Sequence, residues 1–559
     1  MTAILFGYLR LISRICTVSI HQEALCKGIT QSHNNFKEKF HNLTWRDFFI
    51  SFLRRVLIKT QLIGGWIVAF EPDDTQPYGG QHVLLRDGCI VYEDDSIVFV
   101  GFPDDPNCPK ADTVIRTDGK LVSPGLINLH CIANIDLQPL RIDVGSVGFP
   151  RPKAWLEQAA PIWSDDEFRV SANLSVASLL RSGNTTFCNV TTSATKSYED
   201  PKIEPYVLAE ASETLGARAY LAHNFQDHTR YNTIENNKEE THYVFDKQAG
   251  EQGLNNALEF VSYLKQRFDI NNSLVQGFLF PYTTLSCSDD LLQAASQAAR
   301  QEGLVVRSHF AQNTRELAET LAERQQSPTE RLASLGVLGP ELTLTHAIFM
   351  RGHKTVPDSG DLHDDLKLLV DSDTHVAHCP VVFSRRGGVL NSFQTYLDAG
   401  INLALGTDTS PPDLLGEMRM AATLTKVVDG NSLAGTAASI YNSATLGGAK
   451  ALGRDDLGKL AAGAKADISV FDLHALHLGV IDDPIKALVH YASSGDTDRV
   501  IVDGRTVVED KYVLGISEDE LLSQAQAAWD VYKQGLAARD PLGRDADTMY
   551  PPSFPVRGG

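Results

Sequence analysis

Three histidines and one aspartate stand where apolar runs of the chain stop. His130 closes "PGLINLH" (124–130), and His309 lies near the end of "LVVRSHFA" (304–311). His346 lies near the end of "LTLTHAIF" (342–349), and Asp408 ends "INLALGTD" (401–408). Imidazole and carboxylate are the usual ligands of catalytic zinc, iron or manganese sites that leave a position open for water. Taken singly, each has a plainer reading. A histidine at a strand end is commonly a hydrogen-bonded structural residue, and Asp408 could cap the segment that follows it. Their shared placement argues for the chemical reading, because all four fall at the same end of their runs. His353, His375 and His378 do not share it; His378, followed by Cys379-Pro380, reads as structural or as support for the site. Arg385 and Arg386 follow the "THVAHCPV" run, where Arg385 could hold an anionic or carbonyl part of a substrate; the plainer alternative is a solvated loop. Around His130, strand alternation puts Ile132 and Asn134 on the histidine's side and Cys131 on the other. Ile132 offers no lone pair, so Asn134 is the nearest oxygen donor on that side and a candidate substrate contact.

These residues need elements that aim them at one place. Strand candidates recur at 185–190, 217–225, 273–282, 304–311, 342–349, 374–381 and 401–408, and the strand ending at His130 makes eight. Helical patterns such as "NNALEFVSYLKQRF", "DDLLQAASQAARQEG" and "TRELAETLAERQQ" separate them. Continuous apolar strands alternating with helices indicate parallel strands buried on both faces. The fold class is therefore α/β, a (β/α)8 TIM-type barrel whose active site would lie at the C-terminal strand ends. A doubly wound open sheet is the alternative, but the glycine-rich phosphate turn is missing after the first strand. Short β-type runs split by Asp-Gly and Gly turns occupy 61–120, and more occur within 446–515. The economical topology is one small β-sandwich built from both chain ends, with the barrel, 121–445, inserted between them. Residues 516–559 read as an amphipathic helix and a Pro-rich tail. Residues 1–60 read as a poorly ordered extension that half-fits a transit peptide.

The totals narrow the function. A formal charge of -20 over 559 residues argues against nucleic acid or an anionic membrane as partner. The eight cysteines include no CxxC pair, so a disulfide framework or structural zinc site is not expected, and a reducing, cytoplasmic location is. No apolar run reaches the roughly 18 residues of a membrane span.

With these residues in view, the chain resembles the amidohydrolase superfamily, in its deaminase and chlorohydrolase branch. The carrying stretches are "GKLVSPGLINLH" (119–130), "SHFAQNTRE" (308–316), "LTHAIF" (344–349), "HCPVVFS" (378–384), "LALGTDTSPPDLLGEMRMA" (403–421), "ATLGGAKALGRDDLGKLAAGAKADISVFD" (444–472) and "VIVDGRTV" (500–507). The resemblance implies a distorted TIM barrel with a β-sandwich made from both ends. It implies His130, His309 and Asp408 as ligands of one divalent ion, zinc first, with iron, manganese and cobalt as alternatives. His346 would orient or polarise substrate and help hold the ion, and Asp408 would accept a proton from water. Two positions depart from the family. Ile132 stands where a second strand-one histidine is usual, and Gln312 stands where the deaminases carry a glutamate. Glutamine cannot titrate, so Gln312 would act in catalysis only as a hydrogen-bond donor. The expected activity is hydrolysis of a non-peptide C–N bond of a small molecule, of amide, urea or carbamate type, similar to triazine, phenylurea and molinate hydrolases. The alternatives are a deaminase or dehalogenase of a nitrogen heterocycle, and a metal-free pseudoenzyme that binds a small molecule. The small molecule is the expected partner, and homo-oligomerisation is left open.

Overall fold

Gly64-Gly65, Asp87-Gly88 and Asp118-Gly119 punctuate the first β-rich stretch, and each pair turns one short strand into the next with a left-handed residue. The computed structural model describes residues 58–137, 163–191, 203–235, 238–268, 274–538, 545–549 and 551–557. Residues 1–57, most of the expected extension, lie outside them, and the first strand, Lys59–Ile63, starts slightly before the expected boundary. It joins Cys89–Glu93, Ser96–Gly101 and Thr113–Arg116 in a four-stranded sheet. Trp66–Pro72, Gly80–Arg86 and Lys120–Pro124 belong to a different, seven-stranded sheet. Its other members come from the far end of the chain: Ile468–Asp472, Thr497–Val502, Arg505–Glu509 and Tyr512–Val513. The two halves meet antiparallel, with Ser123 opposite Ser469. Ile67, Val122, Ile468, Val470 and Ile501 of this sheet share one apolar cluster with Leu62, Ile90, Tyr92 and Ile97 of the four-stranded one. Burying side chains of this size contributes about 1.5–3 kcal/mol each, so the cluster fastens both chain ends together.

Eight parallel strands follow, numbered here first to eighth. Leu126–Cys131, Asn184–Val190, Arg218–Ala222 and Val275–Gly277 form one sheet. Val306–Phe310, Leu342–His346, His375–His378 and Leu403–Leu405 form the other. Nearly every residue in them is buried, as expected for strands covered on both faces. Backbone hydrogen bonds join the sheets at both edges. Arg307 N donates to Leu279 O at 3.0 Å between the fourth and fifth strands. Thr407 N and Asp408 N donate to His130 O at 2.9 and 2.8 Å, bringing the eighth strand against the first.

The connecting helices begin on side-chain caps: Ser164 for Asp165–Arg181, Asp246 for Lys247–Arg267, Ser288 for Asp289–Glu302 and Asn313 for Thr314–Arg324. Each cap satisfies an otherwise orphaned N–H and fixes where its strand-to-helix turn ends. The helix Glu518–Leu536, capped by Ser517, buries Leu521, Ala525 and Ala528, spaced along one face. Two details differ from the sequence reading. The expected fourth strand breaks into Val275–Gly277 and Phe280–Pro281, and the second piece pairs with Asn224–Phe225 instead. Gly277 marks the break: a Cβ there would come within 2.8 Å of the Val261 side chain, so helix and strand approach too closely for any larger residue. An antiparallel hairpin, His228–Glu235 with Lys238–Phe245, stands between the third strand and its helix and was not expected.

Candidate metal centre

His130, at the end of the first strand, is wholly buried, and its Nε2 faces His309 Nε2 at 3.1 Å. His309 Nδ1 donates to the Tyr282 carbonyl at 2.7 Å. A carbonyl can only accept, so that bond sets the tautomer and leaves a lone pair on Nε2. The His346 ring stacks on His309 with centroids 5.4 Å apart. One ligating atom from each of the three imidazoles lies within 4.8 Å of the others. Asp408 completes the group, with Oδ1 3.7 Å from His130 Nε2 and Oδ2 3.8 Å from His346 Nε2.

Regular strand geometry alone would not make this cluster. In the register of the fifth and sixth strands His309 lies opposite Thr345, and His346 lies opposite Phe310. Alternation would therefore send His346 to the Phe310 side, away from His309. His346 instead has φ 85° and Ala347 φ 47°, and this left-handed turn brings the ring back over His309. Asp408, at φ 55°, and Ala311, at φ 46°, are also left-handed. Such backbone costs about 1–3 kcal/mol per residue and persists where the surroundings over-determine it, commonly at functional sites.

The electrostatics suit a cation. Burial, helped by neighbouring His130, pushes His309 down to about 3, and burial pushes His346 well below the usual imidazole range. Both are therefore neutral ligands at physiological pH. Burial opposes the charge on Asp408, but the closeness of His130, His346 and His309 outweighs it and holds the carboxyl below its ordinary range. His346 Nδ1 and Nε2 and His130 Nδ1 have no hydrogen-bond partner although buried. Orphaned buried nitrogens beside an ionised carboxylate form a site one cation short of satisfaction. Three nitrogens and a carboxylate are also the donor types of catalytic zinc sites. The residues fit a divalent ion.

The other expected residues fall as follows. Ile132 lies just beyond the first strand, and its N–H donates to Asp408 O at 2.9 Å. Its side chain joins the apolar cluster of Val190, Ala222 and Phe280, so a hydrophobic wall occupies the place of a further ligand. Cys131 turns to the helix-side cluster and donates to Cys188 O. Asn134 lies in the short helix Ala133–Asp136, and its side chain is outside the described residues. Gln312 is half-buried just past the fifth strand. Arg385 is half-buried, and its Nη1 is engaged with the Ser410 carbonyl, so at least part of its guanidinium holds the loop after Asp408. Asp413, not Asp408, caps the helix Leu414–Asp429, which removes the plain reading of Asp408. His353 bonds Thr355 and the Val389 carbonyl, and His375 bonds Asn402, all away from the cluster.

Sequence reasoning missed three carboxylates. Glu316 accepts from Ala311 N at 2.8 Å and from the Thr284 hydroxyl, pinning the turn that carries Gln312. Glu417 accepts from Val381 N at 2.9 Å, and Asp136 accepts from Ser410 N at 3.1 Å. Burial raises the pKa of all three, Glu316 and Asp136 to about 7. Glu316 and Glu417 lie in helical patterns where a glutamate reads as surface, and only the fold buries them.

Comparison with known proteins agrees with this geometry. The model of the Amidohydrolase family matches residues 121–507. A 5-methylthioadenosine/S-adenosylhomocysteine deaminase of Syntrophobacter fumaroxidans is 27% identical over 477 residues, 83% of this chain and 96% of that protein. A 5'-deoxyadenosine deaminase of Methanosarcina mazei is 27% identical over 453 residues, 79% of this chain and 93% of its own. Among solved structures, an adenosine deaminase from Xanthomonas campestris with bound zinc superposes with TM-score 0.67 at 22% identity, covering 84% of this chain and 98% of that one. An atrazine chlorohydrolase from Arthrobacter aurescens complexed with zinc gives 0.67 at 22% identity, covering 84% and 100%. The two solved structures share the fold.

Proposed function

Since the chain belongs to the amidohydrolase family, we propose that it hydrolyses a non-peptide C–N bond of a small molecule, of amide, urea or carbamate type. One divalent ion would be held by His130, His309, His346 and Asp408. The observation that carries this reading is the meeting of those four side chains, three from separate strands and one from just past a fourth, in one buried cluster with orphaned nitrogens. Zinc suits the donor set, and two fold neighbours were solved with it; iron, manganese and cobalt suit similar ligands. When bound, the ion supplies Lewis acidity and brings the pKa of water towards neutrality.

The chain's own residues do the rest. Asp408, ionised in its buried place, takes a proton at Oδ2 from the attacking water and passes it to the departing nitrogen. His346 polarises the carbonyl oxygen as negative charge develops on it. Gln312 donates a hydrogen bond and carries no proton. Asn134 and Arg385 stand as substrate-side contacts, Arg385 through donors left over from its bond to Ser410. Ile132, Phe280 and Phe383 supply an apolar surface that excludes bulk water. For the frame, we read the two parallel sheets, hydrogen-bonded at both edges, as one eight-stranded TIM-type barrel over 121–445. Residues 61–120 and 446–515 form the β-sandwich, and 516–559 a terminal helix and tail. No helix among the described residues is long and apolar enough to cross a membrane.

A second reading, deamination of a nitrogen heterocycle, is favoured by the names of the curated relatives. The test is a panel of ureas, carbamates, anilides and aminopurine nucleosides offered to protein of measured metal content. Cleavage of a urea, carbamate or amide is the expected result. Ammonia released from an aminopurine alone would replace the first reading by the second. Protein that holds no metal after growth with zinc, manganese, iron or cobalt would overturn both in favour of a pseudoenzyme.

A further inference from the structure

Arg307 lies two residues before His309 on the fifth strand and heads the fully buried side chains by volume. Its Nε, Nη1 and Nη2 make no hydrogen bond to a nitrogen or oxygen acceptor, and only the weakly accepting Cys188 thiol lies in reach of them. A guanidinium does not give up its proton in a protein, so this is a whole positive charge inside the fold. Its Cζ sits 5.4 Å from the centre of the Phe278 ring, a contact that uses one face and leaves the N–H edge unspent. The groups acting most strongly on it are Cys188, Cys131, Tyr220 and Cys379. Burial pushes Cys188 up to about 11 and Cys131 and Cys379 well above the usual thiol range, so these neighbours are neutral. Among the described residues no carboxylate pairs with Arg307.

The surroundings add donors. On the adjacent sixth strand Thr343 is the register partner of Arg307, and register partners in a parallel pair project to the same face. The Thr343 hydroxyl is buried without a partner, and so is that of Thr345, two residues on. The sheet face that carries Arg307 thus also carries two hydroxyls without partners and no counter-charge. Unpaired buried charges are rare because the loss of hydration is not recovered. An anion restores the balance, and one that enters a packed strand interior must be small and weakly hydrated.

We propose that Arg307, with the hydroxyls of Thr343 and Thr345, holds a halide ion inside the parallel strands, one residue pair below the histidine cluster. The anion neutralises the guanidinium, which would otherwise repel a cation held by His309 and its neighbours. The site does not depend on which C–N bond the protein cleaves.

Two measurements on the full-length protein test it. Thermal unfolding is followed while gluconate is replaced stepwise by chloride or bromide at constant ionic strength. The expected result is a saturable rise in Tm of a few degrees, since a ligand of the native state alone stabilises it by mass action. Arg307→Met is expected to abolish that dependence. Crystals grown in bromide are expected to show an anomalous peak within hydrogen-bond reach of the Arg307 guanidinium. No saturable rise, or an equal rise in Arg307→Met, overturns the proposal. Should the variant fail to fold, the bromide crystals of the native protein decide alone: density there without anomalous signal is water and overturns it.

Discussion

Glu316→Gln should stabilise the protein in alkaline buffer and leave it almost unchanged in mild acid. The carboxylate is 2% exposed, receives the Ala311 N–H at 2.8 Å, and meets the Thr284 hydroxyl. Burial raises its pKa from 4.5 to about 7, against the opposing pull of those two bonds. The folded state therefore keeps a proton that the unfolded chain has released between these limits. Stability falls as pH rises through that window and is flat above it. At about 1.4 kcal/mol per pH unit between 4.5 and about 7, the loss by pH 8 comes to a little over 3 kcal/mol. Glutamine has no such penalty and keeps both contacts, its oxygen accepting from Ala311 and its amide donating to Thr284. Urea denaturation of both proteins at pH 5, 6, 7 and 8, compared through the midpoint at equal slope, reads the difference directly. The variant's advantage should grow steadily from pH 5 and level off above pH 7. A gap that is constant with pH, or widest in acid, would refute the reasoning and show that Glu316 is ionised throughout.

Three further expectations concern the histidine cluster. His309→Ala and Asp408→Ala should each abolish turnover and lower bound metal in elemental analysis, by more than the roughly 10–100-fold in affinity lost with an outer partner; full activity in either would remove the assigned site. Ile132→His should slow loss of metal to a chelator, at a packing cost of about 1–3 kcal/mol in the apolar cluster it leaves. Metal stripped by Asn134→Ala or Cys131→Ala, yet kept by His130→Ala, would mean the first strand is used differently. Gln312→Glu should add a titrating limb to the pH–rate profile, and an unchanged profile would exclude position 312 from proton transfer.

What could be read beforehand was governed by local rules. Apolar runs with helical segments between them mark where parallel strands lie, and the last polar residue of a run marks where a side chain reaches the strand end. His130 and His309 needed nothing more, whereas Asp408 lies past the eighth strand on a left-handed backbone of its own. His346 is different: strict alternation places it on the wrong face, and only the left-handed φ at 346 and 347 turns it in, a property of the packed turn that no residue type announces. Glu316 and Glu417 look like helix-surface carboxylates until the turns after the fifth and seventh strands fold over them. The hairpin 228–245 has no Asn-Gly or Asp-Gly turn to betray it, and the break in the fourth strand lies just past Gly277, where Val261 leaves no room for a Cβ. Arg307 reads as a polar interruption of a strand, because sequence does not tell an arginine at a surface from one sealed inside.

The seven-stranded sheet has a consequence for how the chain is made. Lys120–Pro124 pairs on one side with Trp66–Pro72, but its other edge finds a partner only in Ile468–Asp472, after all eight parallel strands have been synthesised. Until then the nascent chain carries one open strand edge at Lys120–Pro124, next to a growing set of apolar strands, and the apolar cluster around Val122 lacks Ile468, Val470 and Ile501. Such edges template pairing with other chains, and contacts this distant in sequence form slowly. Arg218, on the third parallel strand, waits equally long for its bidentate partner Asp467 and for Asp503. A ribosome stalled before residue 468 would therefore hold a long, sticky intermediate, and cells making this protein should depend on chaperones in the interval more than its finished stability would suggest.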